Sequence, residues 1–309
     1  MTTTVVLIGC AQNSSLNNIT VDKTLKSTAL CGPASSYDNP LNDVGEIVDI
    51  HPPSTGPYPY FKFLEGPVWV DYFDGGSLFF SDLGEPARIW KLTPPSTIPL
   101  LYLENSGSNG LALDNNKNLI IADRESRRIT QLNLNTKKLT ERIPANGVFK
   151  PNDVLARSDN SFYFTASKNG FFHVAADGKM SKAVKAVYSP NGIALSLDET
   201  KLYVGDFTNK TITSFELNHD GSVNSDSAML FASTSGDKVD GMTTDCAGNI
   251  YVGTTAGVEV FNAAGIAIGI LPTGRSSNIT FGGLNRKILY VTTPKLLKAI
   301  KLSVQGLPN

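Results

Sequence analysis

Basic residues never gather into runs in this chain, which removes one class of partner at the outset. Lys and Arg number 27 against 28 Asp and Glu, for a net charge of −1, so the basic footprint of a nucleic-acid binder is missing. No stretch approaches the ~20 consecutive apolar residues that a membrane-spanning helix needs. Histidine and cysteine are scarce: His51, His173, His219, Cys10, Cys31 and Cys246 are too few, and wrongly spaced, for a zinc framework. Any metal bound here has to be held by oxygen. Charged residues, at 18%, fall below the roughly 25% usual in globular domains. Ser, Thr, Asn and Gly fill the deficit, which suits short strands joined by many turns. No long helical periodicity interrupts the pattern.

What is present is a repeat. Glu65-Gly-Pro-Val-Trp, Asn109-Gly-Leu-Ala-Leu, Asn152-Asp-Val-Leu-Ala, Asn191-Gly-Ile-Ala-Leu, Asp240-Gly-Met-Thr-Thr and Asn278-Ile-Thr-Phe each set an oxygen-bearing side chain before an apolar strand, at intervals of 44, 43, 39, 49 and 38 residues. A second apolar strand follows 14 to 17 residues on, ending at Asp82, Asp123, Ala166, Asp206, Thr254 and Thr293. Turns such as Asn115–Asn118, Ser158–Ser161, Leu197–Thr200 and Asp245–Asn249 sit where hairpin connections belong. A length of 309 residues alone suggests two domains, but a period near forty built of short strands is the signature of a radial repeat. Six units of about four strands predict one all-β domain, a six-bladed β-propeller over residues 44–309. An early strand at Glu46–Ile50 belongs to no complete unit, and the last unit runs out at Leu297–Ser303. Pairing the two closes the ring and removes its free edges.

Ahead of the propeller, Leu7-Ile-Gly-Cys10 resembles a bacterial lipobox, in which the cysteine is acylated. No Lys or Arg precedes the apolar run, and that run is about five residues instead of the usual 7–15. A trimmed lipoprotein signal over 1–10 and a chance match therefore both stay open. The first places the protein in the cell envelope, periplasm or outside the cell, and the second leaves it cytoplasmic. Residues 11–43 read as a polar, loosely ordered lead-in. Cys31 and Cys246 can pair in an oxidising compartment or stay as two free thiols.

Taken singly, Asn-Gly and Asp-Gly are turn dipeptides. The register holds in all six units, however, including Glu65 and Asn278, and Pro151 and Pro190 stiffen the approach to Asn152 and Asn191. Round a common axis these side chains converge into one cluster of amide and carboxylate oxygens. Such a cluster suits a hard cation: Ca²⁺ takes six to eight oxygens at about 2.3–2.6 Å with loose geometry, whereas Mg²⁺ demands a tighter octahedron. Glu65 and Asp240 would neutralise the dication, and Asn carbonyls would add dipoles.

These same motifs carry a family resemblance. Leu-Glu65-Gly-Pro-Val-Trp, Pro-Asn152-Asp-Val, Pro-Asn191-Gly-Ile and Asp240-Gly-Met resemble the metal-site motifs of the gluconolactonase family, the group that includes senescence marker protein 30 (regucalcin). The likeness covers about residues 45–305. It implies a six-bladed propeller, hydrolysis of lactones, and a divalent cation, Ca²⁺ first, held by Glu65, Asn152, Asn191 and Asp240. Two departures bear on the substrate. Lys150 stands where sugar-lactone members often carry Arg, and a lysine cannot bond bidentately. Ala122-Asp-Arg-Glu stands where some bacterial members have a His-bearing motif, so that Arg124 would face the mouth.

The expected chemistry is metal-assisted ester hydrolysis: the cation polarises the lactone carbonyl, and Asp240 orients and deprotonates a water or attacks directly. Asp153, Asn109 and Asn278 line the expected pocket, with Lys150 and Arg124 reaching substrate hydroxyls or a carboxylate. Phosphotriester or aryl ester hydrolysis in the same pocket is a second reading, and a non-enzymatic Ca²⁺-binding scaffold a third. A monomer acting on a small molecule is expected.

Overall fold

The computed structural model describes residues 31–308 apart from 72–74, 146–148 and 184–186. The lipobox-like start and most of the polar lead-in lie outside the described residues. The described chain forms six four-stranded antiparallel sheets. Blade one is Leu64–Val70, Ser77–Asp82, Arg88–Leu92 and Leu100–Leu103, from the axis outwards. Blade two is Ser108–Leu113, Asn118–Asp123, Arg128–Asn133 and Leu139–Ile143, and blade three is Pro151–Ala156, Phe162–Ala166, Gly170–Val174 and Met180–Ala183. Blade four is Pro190–Leu195, Lys201–Asp206, Thr211–Glu216 and Met229–Ser233, and blade five is Met242–Thr244, Ile250–Gly253, Val258–Phe261 and Ala267–Leu271. Blade six takes Asn278–Gly282, Ile288–Thr292 and Leu297–Lys301 from the end of the repeat, and its outer strand, Ile47–Ile50, from ahead of it. The register Ile47↔Ile300 to Ile50↔Leu297 closes the ring as the sequence predicts.

Burial follows the layering. Every residue of Leu64–Val70 is buried, whereas Leu100–Leu103 at the rim is exposed or half-buried. The apolar core is divided: six clusters of buried side chains lie one between each pair of neighbouring blades. Val68, Phe79, Leu111 and Ile121 join blades one and two, and Ile279, Leu289, Val258 and Tyr251 join five and six. A single blade has no core of its own, so the ring holds together as a unit.

The Asn-Gly and Asp-Gly pairs are not hairpin turns. In four blades an extra residue interrupts the inner pairing right at the register position, between Glu65 and Val68, Ser108 and Leu111, Pro151 and Val154, and Pro190 and Ile193. Such a bulge bends the strand and re-aims a side chain. The glycine serves a separate need, which is room. A Cβ on Gly66 would lie 2.2 Å from the Asn109 carbonyl oxygen, and one on Gly192 would lie 2.0 Å from that of Asp240. On Gly110 it would meet the Asn152 carbonyl at 2.6 Å, and on Gly241 the Asn278 amide at 2.1 Å. Each glycine lets the next blade's register residue press in beside it.

Residues 31–43, expected to be loose, are fastened at their described end. Cys31 is bonded to Cys246 across 215 residues of chain, both sulfurs buried, and Tyr37 and Leu41 pack against the core between blades five and six. Closing so long a loop removes chain entropy from the unfolded state, worth at most about 5 kcal/mol in the loop-entropy account. Cys246→Ser, or reduction of the parent, is therefore expected to lower the unfolding free energy by about 2–5 kcal/mol while leaving the propeller folded. Equilibrium unfolding with and without reductant checks this, and coincident curves would contradict it.

Candidate functional site

In three blades the residue just before the register position pairs with the aspartate that ends the second strand. Leu64 pairs with Asp82, Ser108 with Asp123 and Pro190 with Asp206. Two of these aspartates fasten the entering chain. Asp82 accepts the N–H groups of Lys62 and Phe63 at 2.9 and 3.1 Å, and Asp206 accepts those of Tyr188 and Ser189 at 2.8 and 3.3 Å. Gly107 (φ +59°) carries the chain directly over the Asp123 carboxylate. Burial alone would raise Asp206, but the backbone N–H bonds that converge on it outweigh this and hold it below the usual carboxylate range.

With the approaches fixed, the register side chains converge. Glu65, Asn109, Asn152, Asp153, Asn191, Asp240 and Asn278 are all buried. The Asn278 amide donates to Asp153 at 2.7 Å and to Glu65 at 3.3 Å, which links blades six, three and one across the axis. Asn109 donates to Asn152 at 3.1 Å. Thr165 accepts the Asp153 N–H at 3.0 Å and donates to the Asn191 carbonyl at 2.7 Å, which ties blades three and four. Gly241 N–H donates to the Ser277 carbonyl at 2.7 Å, which seats Asp240 beside blade six. All four of the expected ligand residues and three of the five expected substrate residues thus share one cluster. The other two, Arg124 and Lys150, line a recess of about 400 Å³ at the same face, beside Gly107 and Ser108, with Glu85 and Glu125 on its rim.

The cluster is electrostatically short of positive charge. Burial pushes the Glu65 carboxyl up to about 7, against the bonds from Asn278 and Gly66 and the fields of Arg124 and Arg275. Burial, then the Glu65 charge, raises Asp153 well above the usual carboxylate range. Asp240 is raised in the same way by burial and by both other carboxylates, with Arg275 and an Asn191 bond opposing. Acceptors are left over as well: the Oδ1 atoms of Asn109 and Asn191 are buried and have no hydrogen-bond partner. Coupled carboxylates and spare amide oxygens in one dry place make a donor set that a hard dication fits. Among the described residues no group of three or more His, Cys, Asp or Glu side chains has metal-site geometry.

Arg275 is the residue that sequence reasoning missed. It lies half-buried three positions before Asn278, its guanidinium 5.2 Å from the Phe63 ring centre, where its field reaches both Glu65 and Asp240. No repeat position marks it. The fastening role of Asp82 and Asp206 did leave a signal, an aspartate ending the second strand of the unit.

A six-bladed propeller with carboxylates and amides converging on its axis defines the class. Residues 63–295 match the family described as the SMP-30/Gluconolactonase/LRE-like region, and the chain belongs to that family. A gluconolactonase of Zymomonas mobilis is 26% identical, the match covering 91% of this chain and 87% of the relative. Among solved structures, a gluconolactonase of Xanthomonas campestris superposes with a TM-score of 0.73 at 23% identity, covering 85% of this chain and 91% of that one. A calcium-binding protein of Agrobacterium tumefaciens, regucalcin, superposes with a TM-score of 0.69 at 18% identity, over 80% and 92% of the two chains.

The raised carboxylates carry a sign. A folded-state pKa above the unfolded one means that the folded protein holds its proton more tightly, so the stability is fully present below about pH 4.5 and is lost as pH rises through about 7. For Glu65 alone the span corresponds to about 3 kcal/mol. In chelator, the melting temperature is expected to fall between pH 5.5 and pH 8. A rise over that interval in a thermal-melt series would contradict the electrostatic reading.

Proposed function

We propose that the protein is a calcium-dependent lactonase that opens a small, sugar-like lactone, with Glu65, Asn152, Asn191 and Asp240 as cation ligands. The observation that carries the reading is the axial donor set: two of its carboxylates and the spare Asn191 oxygen lie together in a buried site, on a chain of the gluconolactonase family. The names of the relatives from Zymomonas and Xanthomonas support a sugar lactone as the substrate class. That of the Agrobacterium neighbour supports calcium.

A dication held there supplies Lewis-acid polarisation of the lactone carbonyl. The protein's own groups do the rest. Asp240 takes a proton from the attacking water as its oxygen bonds to the carbonyl carbon, and returns it to the ring oxygen when the C–O bond breaks. Burial and the neighbouring carboxylates raise its proton affinity above that of an ordinary carboxylate. Glu65, held by the Gly66 N–H and the Asn278 amide, is fixed in place and acts as a ligand only. Asn109, with its free Oδ1, accepts a substrate hydroxyl, while Arg124 and Lys150 hydrogen-bond further hydroxyls from the recess at the mouth. The Cys31–Cys246 disulfide favours an oxidising location, the setting in which a lipobox at Cys10 would be used.

Calorimetry with Ca²⁺ and turnover on a panel of lactones and phosphotriesters, with and without chelator, test the proposal together. Asp240→Asn keeps an oxygen ligand, so it is expected to retain cation binding while lactone turnover falls roughly 100-fold or more. Glu65→Gln is expected to weaken the cation sharply and to lose activity with it. Parent-like turnover by Asp240→Asn would remove the base assignment. A parent that binds calcium but opens no lactone would leave phosphotriester hydrolysis or a binding role.

A further inference from the structure

A second chamber lies on the other side of the axial cluster. Its volume is about 360 Å³, within the range of small-molecule sites, and its wall is the inner strands' run away from the register residues. Gly66, Asp153 and Asn278 form its inner end, so it stops at the cluster instead of continuing to the mouth. Leu307 and Pro308 line its far end, on a segment anchored by backbone bonds. Gly306 N–H donates to the Arg286 carbonyl at 2.8 Å, Leu307 N–H to that of Thr244 at 3.4 Å, and the Gln305 carbonyl accepts from Cys246 at 2.8 Å.

Leu111, Leu155, Ile193, Leu195 and Phe281 give the wall apolar surface from four blades, while Asp71, Arg157, Glu199 and Arg286 bring charged groups to it. Into it comes one buried cation. Arg286 is 9% exposed and lines the chamber, and among the described residues no hydrogen bond or ion pair reaches its guanidinium. Asp71 is an electrostatic neighbour only, and its carboxylate already takes the Trp69 indole N–H at 2.5 Å. Burial works against the Arg286 charge. A largely buried guanidinium that faces a cavity without a bonded partner gains when an anion reaches it. Arg157, the other arginine on the wall, differs: it is ion-paired to Asp159 and Glu199.

We propose that this chamber is a second ligand site, distinct from the axial cluster, that takes a small anionic amphiphile with its carboxylate on Arg286 and its hydrocarbon chain against Leu111, Leu155, Ile193, Leu195 and Phe281. The guanidinium fork matches a carboxylate bidentately, and the depth of apolar wall beyond it selects a chain over a compact acid. None of the four proposed cation ligands lines the chamber, so its occupancy does not need calcium at the axial cluster.

The test is calorimetric titration of the full chain with sodium decanoate, in chelator and again in calcium, with acetate and 1-decanol as comparisons. One saturable site is expected for decanoate in both buffers, none for acetate, and binding of decanol weaker by roughly tenfold or more for want of the charge-assisted bonds. Arg286→Gln is expected to weaken decanoate roughly tenfold or more, whereas Arg286→Lys keeps a measurable part of it. Ile193→Phe, which fills the chamber, is expected to weaken decanoate and decanol alike. Circular dichroism checks the fold of each variant, and should Arg286→Gln not fold, the Arg286→Lys and Ile193→Phe arms decide. No saturable binding by the parent would overturn the proposal. So would equal affinity in the folded Arg286 and Ile193 variants, the result expected of a ligand held at the mouth or on the surface.

Discussion

The architecture depends on how closely neighbouring inner strands approach at the axis. At Gly66, Gly110, Gly192 and Gly241 the next blade's register residue occupies the space a methyl group would need, with contacts of 2.0 to 2.6 Å to a hypothetical Cβ. That approach brings Glu65, Asp153 and Asp240 from three blades within electrostatic reach of one another. The ring is a scaffold for concentrating negative charge where water does not screen it. Its inter-blade cores supply the stabilisation that opposes that repulsion, since apolar burial of this extent is the dominant favourable term in folding. The site and the core are therefore two sides of one packing arrangement.

Electrostatic imbalance then divides the molecule into three environments along the axis. At the mouth, Arg124 and Lys150 stand at an open recess with acidic neighbours, suited to groups that arrive hydrated. At the centre, carboxylates and amide oxygens lack a matching positive charge, and Arg275 and Arg124 offset only part of it by field. Beyond the centre, Arg286, which has no hydrogen-bond or ion-pair partner among the described residues, faces a chamber whose wall combines apolar side chains with Asp71, Arg157 and Glu199. The Asn278 amide, bonded to both Glu65 and Asp153, is part of the partition between the second and third environments.

Much of this was legible in the sequence, and the reasons are local. Asn109, Asn152 and Asn191 recur at the repeat period, and a strand repeat of that length has few architectures open to it. The unclaimed Glu46–Ile50 segment announced ring closure because an unpaired edge is a liability. What stayed hidden depends on contacts between blades. The Asn-Gly pairs look like turns because glycine serves both turns and close approach, and only the neighbour's carbonyl at 2.0 to 2.6 Å separates the two. The bulges at Glu65, Asn109, Asn152 and Asn191 are register shifts against a partner strand and have no composition of their own. Arg275 acts from a loop that the repeat does not mark. Cys31 and Cys246 left two outcomes open because nothing local joins residues 215 positions apart.

The central claim is that the axial oxygens form one cation site, and crystallography of the protein soaked in calcium tests it most directly. The account predicts one strong peak on the axis, with oxygens of Glu65, Asn152, Asn191 and Asp240 at about 2.3–2.6 Å. An axis that stays free of metal at saturating calcium, with Glu65, Asp153 and Asp240 still gathered round the Asn278 amide, would contradict it.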